Sequence, residues 1–109
     1  MTTENTAVIR TGARLRSQVC ATEVIVVRPP ADGVDLTCGG HPMIALDAEA
    51  VVGLASEPEL SGGALLGKRY TLADDDTFEV LVTKPGTGTL GDGAVPLVLK
   101  EAKALPASD

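Results

Sequence analysis

Short apolar runs of three to five residues alternate with polar and turn-forming residues along most of the chain. The clearest run, at residues 24–27, ends before the two prolines at 29–30, and a second apolar stretch follows at residues 34–36. Short apolar runs bounded by glycine and proline are typical of strands rather than of helices. The pattern therefore predicts an all-β chain in which residues 24–27 and 34–36 form a hairpin.

Two further elements are predicted on either side of this hairpin. Residues 7–10 and 13–15 indicate a first short strand with a break at Gly12. After the hairpin, residues 47–54 can form about two helical turns, with Asp47 as the N-cap. One short helix is thus expected in an otherwise β architecture.

The middle of the chain has the composition of a linker. Residues 56–63 combine a proline with two consecutive glycines, which is typical of a connection rather than of a packed element. We therefore predict an N-terminal unit at residues 1–54, a linker at 55–64 and a C-terminal unit at 65–109.

The second half of the chain repeats the first. Residues 79–85 (EVLVTKP) echo residues 23–29 (EVIVVRP) at an offset of 56, and residues 90–98 echo residues 36–44 at an offset of 54. The two missing residues fall inside a turn, where deletions are tolerated. Two similar units can bury their apolar faces against each other. The positions expected in this shared core are Val24, Val26, Ile44, Val80, Val82, Leu97 and Leu99.

Both cysteines lie in turns next to the predicted hairpin, so Cys20 and Cys38 are expected to meet at one end of it. Neighbouring sulfurs of a tetrahedral thiolate site lie on the order of 3.8 Å apart. A modest closing movement from there forms a disulfide bond of ~2.05 Å. The thiols are therefore candidates for a redox-active pair or for a metal site, with His41 as a third ligand. His41 also fits a solvent-facing position without a role.

The stretches around the cysteines, SQVCATEV at 17–24 and LTCGGHPM at 36–43, resemble desulforedoxin and the desulforedoxin-like domain of desulfoferrodoxin. In these small rubredoxin-like proteins, a Cys-x-x-Cys pair and a Cys-Cys pair bind one metal tetrahedrally. The resemblance places Cys20 and Cys38 at two ligand positions, and Ser17 and Gly39 at the other two. It implies iron and electron transfer, but half of the ligands are replaced.

In the second half, the resemblance places the four ligand positions on Ala73, Asp76, Asp92 and Gly93, none of which is a cysteine. Desulforedoxin is a homodimer, so the resemblance implies that the tandem units fold as an intramolecular pseudo-dimer. A unit of about 40 residues usually needs a metal, a disulfide or a partner to be stable. Here the other half takes that role.

The acidic run at residues 74–76, with Asp92 near it, could offer oxygen ligands to Ca²⁺ or Mg²⁺. Such a run at a turn is more typical of a solvated loop.

Composition excludes several classes of partner. With a formal net charge of −6 and only Tyr70 and Phe78 as aromatic residues, the chain lacks the basic stripe and stacking rings of nucleic-acid-binding proteins. The same charge disfavours anionic membranes, and no apolar run approaches the roughly 20 residues that span a bilayer. The polar N-terminus has no signal-peptide core. A soluble, cytoplasmic protein is predicted.

The sequence indicates no pair of a nucleophile and a general base. It also indicates no phosphate-binding loop, because residues 86–88 fit a hairpin turn. We therefore predict no enzymatic activity. The sequence favours a small soluble accessory or interaction protein, without a cofactor, on a desulforedoxin-like scaffold that has lost its metal sites. The alternative is an iron- or zinc-binding or dithiol redox protein that transfers electrons through Cys20 and Cys38. A protein partner of unidentified kind is expected, and the chain is a monomeric pseudo-dimer or a homo-oligomer. The sequence leaves open whether the thiols bind metal, form a disulfide or stay free.

Overall fold

The computed structural model describes residues 9–30 and 33–100, which contain strands and turns and one 3₁₀ turn at Pro58–Leu60. The strands in these residues are β1 (Arg14–Arg16), β2 (Glu23–Arg28), β3 (Leu36–Cys38), β4 (His41–Pro42), β5 (Ile44–Ala45), β6 (Arg69–Leu72), β7 (Asp75–Lys84), β8 (Leu90–Asp92), β9 (Val95–Pro96) and β10 (Val98–Leu99). The predicted all-β class is confirmed. None of the described residues belongs to a helix of the length and hydrophobicity that crossing a bilayer requires.

The strands form two antiparallel sheets whose orders are symmetric. The larger sheet has the order β5-β1-β2-β7-β6-β10, and the smaller sheet has the order β4-β3-β8-β9. Each strand of the first half has an equivalent five strands later, so that β1 corresponds to β6 and β2 to β7. If every strand is replaced by its equivalent, each sheet order becomes its own reverse. The two halves of the chain therefore meet at β2 and β7 in one sheet and at β3 and β8 in the other.

The register at these two junctions is reciprocal. Across β2 and β7, Val24 pairs with Val82 and Val26 with Val80. The offset of 56 found in the sequence relates Val24 to Val80 and Val26 to Val82. Val24 therefore pairs with the repeat equivalent of Val26, and Val26 pairs with the repeat equivalent of Val24. Pairing of this kind is what a two-fold relation between similar units produces.

The smaller sheet shows the same reciprocity at the other offset. Across β3 and β8, Leu36 pairs with Asp92 and Cys38 pairs with Leu90. The offset of 54 relates Leu36 to Leu90 and Cys38 to Asp92, so this pairing is reciprocal as well. The shortening by two residues between the repeats thus falls in the connection between the two sheets. The pairing stays in one register at residues 24–26 of β2 and along β3, and β2 has irregularities between Glu23 and Val24 and between Val26 and Arg28.

The core contains residues of both sheets and includes most of the predicted positions. Six of the seven expected positions are buried: Val24, Val26, Ile44, Val80, Val82 and Leu97. Leu99 is 41% exposed, because β10 is the outermost strand of the larger sheet and is covered on one side only. Phe78, Leu15 and Met43 are large buried side chains outside the predicted set.

The predicted hairpin between residues 24–27 and 34–36 is wrong in its pairing. Strand β2 pairs with β1 and β7, whereas β3 belongs to the other sheet. The two prolines at 29–30 have no amide N–H to continue a ladder, so they end β2 and the chain crosses to the second sheet. The predicted hairpin turn at residues 86–88 crosses between the sheets in the same way.

The predicted helix at residues 47–54 is also wrong, since this segment consists of turns, a bend and irregular backbone. The Val51 N–H donates to Gln18 Oε1 at 2.8 Å, and Arg16 donates to the carbonyl of Ala48. These tertiary bonds outweigh a helix of about two turns, which is marginal by itself.

Strand β1 begins later than the sequence predicts. Ile9 and Arg10 precede the turn at Gly12 and are not in a strand, and β1 starts at Arg14. The remaining part of the predicted strand, at residues 7–8, lies outside the described residues.

The segment predicted as a linker, residues 55–64, makes backbone hydrogen bonds to turns of both halves. The Glu57 N–H donates to the carbonyl of Gly39, and the Thr89 N–H donates to the carbonyl of Leu60, at 2.9 and 2.8 Å. The connection therefore joins the β3–β4 turn of one half to the β7–β8 connection of the other. This position brings it next to Gly39, which follows Cys38, and to Gly86.

Candidate functional site

The two thiols lie side by side, as the sequence predicts. Cys20 lies in the turn between β1 and β2, and Cys38 ends β3, so the pair bridges the two sheets. Their Sγ atoms are 3.7 Å apart, and both cysteines are free. This separation matches neighbouring sulfurs of a tetrahedral thiolate site and exceeds a disulfide bond of about 2.05 Å.

Ser17 shapes the turn that carries Cys20. Its Oγ accepts the N–H groups of Val19 and Cys20 at 3.0 and 3.1 Å, and its own N–H donates to the carbonyl of Thr22. Serine hydroxyls stabilise turns by such local bonds to the backbone. Ser17 is 2% exposed. At one position where the resemblance places a thiolate, the hydroxyl therefore supports the backbone of the turn.

Three polar groups surround the sulfur of Cys20. The hydroxyls of Ser17 and Thr22 lie 3.4 and 3.2 Å from Sγ, and the Gly88 N–H donates to it at 3.3 Å. Thr22 is fully buried, so its hydroxyl is held against the sulfur. A thiolate at Cys20 is thus solvated by the protein itself.

These contacts make the two thiols chemically unequal. Burial raises the pKa of Cys20, but the hydrogen bonds from Ser17, Thr22 and Gly88 outweigh burial and lower this pKa to about 6. Burial, followed by the charge of Cys20, raises the pKa of Cys38 to about 11. At neutral pH, Cys20 is the thiolate and nucleophile, and Cys38 is a protonated thiol.

The loop between β7 and β8, from the other half of the chain, covers the pair. A Cβ atom on Gly88 would lie 2.8 Å from Cys38 Sγ, and one on Gly86 would lie 2.9 Å from Cys20 Sγ. Only glycine allows the backbone so close to the sulfurs. The sequence analysis did not connect this loop with the cysteines, because nothing local in the sequence relates residues 86–88 to residue 20.

The last position where the resemblance places a ligand, Gly39, has no space for a side chain. Gly39 has a φ of +66°, and a Cβ atom there would lie 2.7 Å from Ser56 Oγ and 2.8 Å from Val19 Cγ2. Ser56 comes from the segment predicted as a linker, so its role at this corner could not be predicted from the turn alone.

His41 points to the segment 55–57. Its Nε2 lies 2.9 Å from the carbonyl oxygen of Ala55 and 3.9 Å from the Glu57 carboxylate. Within residues 9–30 and 33–100, no group of three or more His, Cys, Asp or Glu side chains is arranged to hold a metal ion.

The corresponding positions of the second half form a different turn. Leu72 pairs with Asp75 across a two-residue turn, so β6 and β7 make a tight hairpin that includes Ala73 and Asp76. Asp92 lies in β8, where its Oδ1 accepts the Asp35 N–H at 2.9 Å.

We expect the protein purified without a chelator to contain well under one iron or zinc per chain. Zinc and iron thiolate sites need four ligands, whereas two thiols converge here and the Gly39 corner is filled by Ser56 and Val19. Elemental analysis measures this directly. A stoichiometric metal that disappears in the Cys20→Ser variant would contradict the expectation.

We expect Thr22→Val to raise the apparent pKa of Cys20 from about 6 to about 7, because one hydrogen bond to the thiolate is lost. The rate of iodoacetamide alkylation, which follows the thiolate fraction, should then rise at higher pH than in the parent. Thr37→Val is the matched control, since Thr37 is equally buried but donates to the Gly93 carbonyl. Identical pH profiles for the two variants would show that Thr22 does not stabilise the thiolate.

Comparison with protein-family models, with curated proteins and with solved structures gives no match to this chain. The thiol pair is therefore interpreted from its own geometry.

Proposed function

We propose that the protein is a small accessory module that donates two electrons through the Cys20–Cys38 dithiol, on a desulforedoxin-like scaffold that has lost its metal sites. The observation that carries the proposal is the 3.7 Å separation of the two Sγ atoms, only one of which can be reached from solvent. Cys38 is fully buried, whereas Cys20 is partly exposed. An accessible nucleophile with a buried thiol behind it suits thiol–disulfide exchange.

The exchange takes place in two steps. The Cys20 thiolate attacks one sulfur of a partner disulfide, whose S–S bond breaks, and the leaving thiolate carries away the electron pair. Cys38 then gives its proton to the thiolate released in the first step and attacks Cys20 Sγ, which breaks the mixed disulfide and releases the second thiolate. The partner disulfide is reduced by two electrons, and a Cys20–Cys38 disulfide forms. In the second step, the sulfurs need to approach by less than ~2 Å.

The fold supports the desulforedoxin-like ancestry of this scaffold. Reciprocal pairing at β2–β7 and β3–β8 is what a duplicated homodimer would keep after fusion, with units at residues 1–54 and 65–109. The hydroxyl of Ser17 and the filled space at Gly39 explain how such a unit keeps its turns without a metal.

A protein is the partner class that the surface near the thiols favours. The Ala64 N–H donates to the carbonyl of Gly86, beside Cys20, and Leu65 and Leu66 follow with 53% and 62% of their surfaces exposed. These two exposed leucines follow Ala64 in the chain and can contribute to a contact surface for another protein. In this proposal the module works in the cytoplasm, because free thiols persist in a reducing compartment. It acts as a stoichiometric donor rather than as an enzyme.

Oxidation of the purified protein with a small disulfide tests the proposal. The parent should form an intramolecular disulfide, seen by mass spectrometry as the loss of two hydrogens without an adduct. Cys38→Ser should stop at a stable mixed disulfide on Cys20, and Cys20→Ser should remain largely unmodified. A parent that accumulates the mixed disulfide, or that reacts first at Cys38, would rule out the proposed exchange.

A further inference from the structure

The thiol pair has the donor set of a low-coordinate metal site, and we infer that it binds one Cu(I) ion per chain between Cys20 Sγ and Cys38 Sγ. The inference concerns a second property of the same two side chains. It needs no electron transfer, so it goes beyond the proposed redox function and stands or falls separately from it.

The geometry around the sulfurs argues against a fourfold site. Ser17 Oγ already accepts two backbone N–H groups, and at Gly39 the space for a side chain is taken by Ser56 and Val19. A closed zinc site needs four ligands. An ion that stays here must therefore be stable with two sulfurs from the protein.

Cu(I) meets this requirement. Thiolates are soft ligands that select Cu(I) over hard cations, and Cu(I) is stable with fewer ligands than zinc. With metal–sulfur bonds of about 2.3 Å, the 3.7 Å separation holds the ion at a roughly tetrahedral S–metal–S angle. At this angle the two sulfurs leave further coordination positions of the ion open, and a thiol of the molecule that delivers or removes the ion can take one of them.

Charge and access fit the same ion. Two thiolates and one monovalent cation carry a net charge of −1, which is the charge of a single thiolate. The hydroxyl of Thr22 and the N–H of Gly88 already stabilise such a charge at Cys20. The backbone of Gly88 closes one side of the pair. Cys38 is fully buried, so the ion enters past the partly exposed Cys20.

Anaerobic titration of the reduced protein with Cu(I), in competition with bathocuproine disulfonate, tests this inference. The parent should bind one Cu(I) per chain with ultraviolet thiolate-to-copper absorption, and a tenfold excess of Zn²⁺ should not displace it. Cys20→Ser and Cys38→Ser should each weaken binding by more than about 100-fold, since losing a hydrogen-bond partner of a ligand alone costs about 10–100-fold. His41→Ala is the control and should bind as the parent does, because His41 faces Ala55 and Glu57.

Two results would overturn the inference. Cu(I) binding of equal strength in either cysteine variant would place the ion elsewhere. Absence of binding to a folded parent that still forms the Cys20–Cys38 disulfide would remove the copper site and leave the redox proposal intact. A parent that binds copper but forms no disulfide would support the copper site and rule out the redox proposal.

Discussion

Neither half of the chain should fold alone: chains of residues 1–62 and 65–109 are both expected to be disordered in solution. Strands β2 and β7 are the central pair of the larger sheet, and they bury Val24, Val26 and Val80 to 1% exposure or less. Either truncation removes one strand of that pair and exposes the valines of the other. A unit of this size, without a metal or a disulfide, has too small a core to compensate.

Amide chemical-shift dispersion in two-dimensional NMR spectra measures the effect. Each half should give a narrow spectrum, and an equimolar mixture should recover part of the dispersion of the intact chain, because the β2–β7 and β3–β8 ladders can re-form between chains. The intact protein should unfold in one cooperative transition. A dispersed spectrum from either half as a monomer would contradict the role of the shared core.

Restoring the missing thiolates is expected to create a metal site that raises the melting temperature by about 10 °C or more with bound metal. The change needs Ser17→Cys and Gly39→Cys together, and the structure adds a third substitution. A Cβ atom at Gly39 would lie 2.7 Å from Ser56 Oγ and 2.8 Å from Val19 Cγ2. Ser56→Gly removes the first contact, and the Val19 side chain has to turn away to remove the second. Four thiolates then surround one position and select iron or zinc, and metal binding adds to the folding free energy.

The variant without Ser56→Gly is the matched control, and it should be less stable and bind metal more weakly. Tetrahedral Co²⁺ absorption at one ion per chain, together with the melting temperature with and without metal, measures both effects. If the triple variant folds but binds no metal, residues 17 and 39 do not occupy two corners of a former tetrahedron. The proposed desulforedoxin-like ancestry would then have to be abandoned.

Several features of the protein could be predicted from local sequence alone. Short apolar runs bounded by glycine and proline predicted the all-β class, since strand formation depends on side-chain alternation and turn chemistry within a few residues. The internal repeat predicted seven core positions, of which six are buried, and its offsets of 56 and 54 exchange the paired positions of the two ladders. The approach of Cys20 to Cys38 was predicted from a hairpin that does not form, and the thiols meet although β2 and β3 belong to different sheets.

Tertiary structure alone decided how these parts form a site. Tertiary hydrogen bonds to Val51 and Ala48 replaced the helix that local propensity favours at residues 47–54, and β2 and β3 entered different sheets. The thiols acquired their unequal pKa values from Thr22 and from Gly88, which lies 68 residues from Cys20 along the chain. Such contacts depend on which surfaces meet when the two halves pack. No local pattern of residues encodes that meeting, so the sequence could place the sulfurs together but not determine their chemistry.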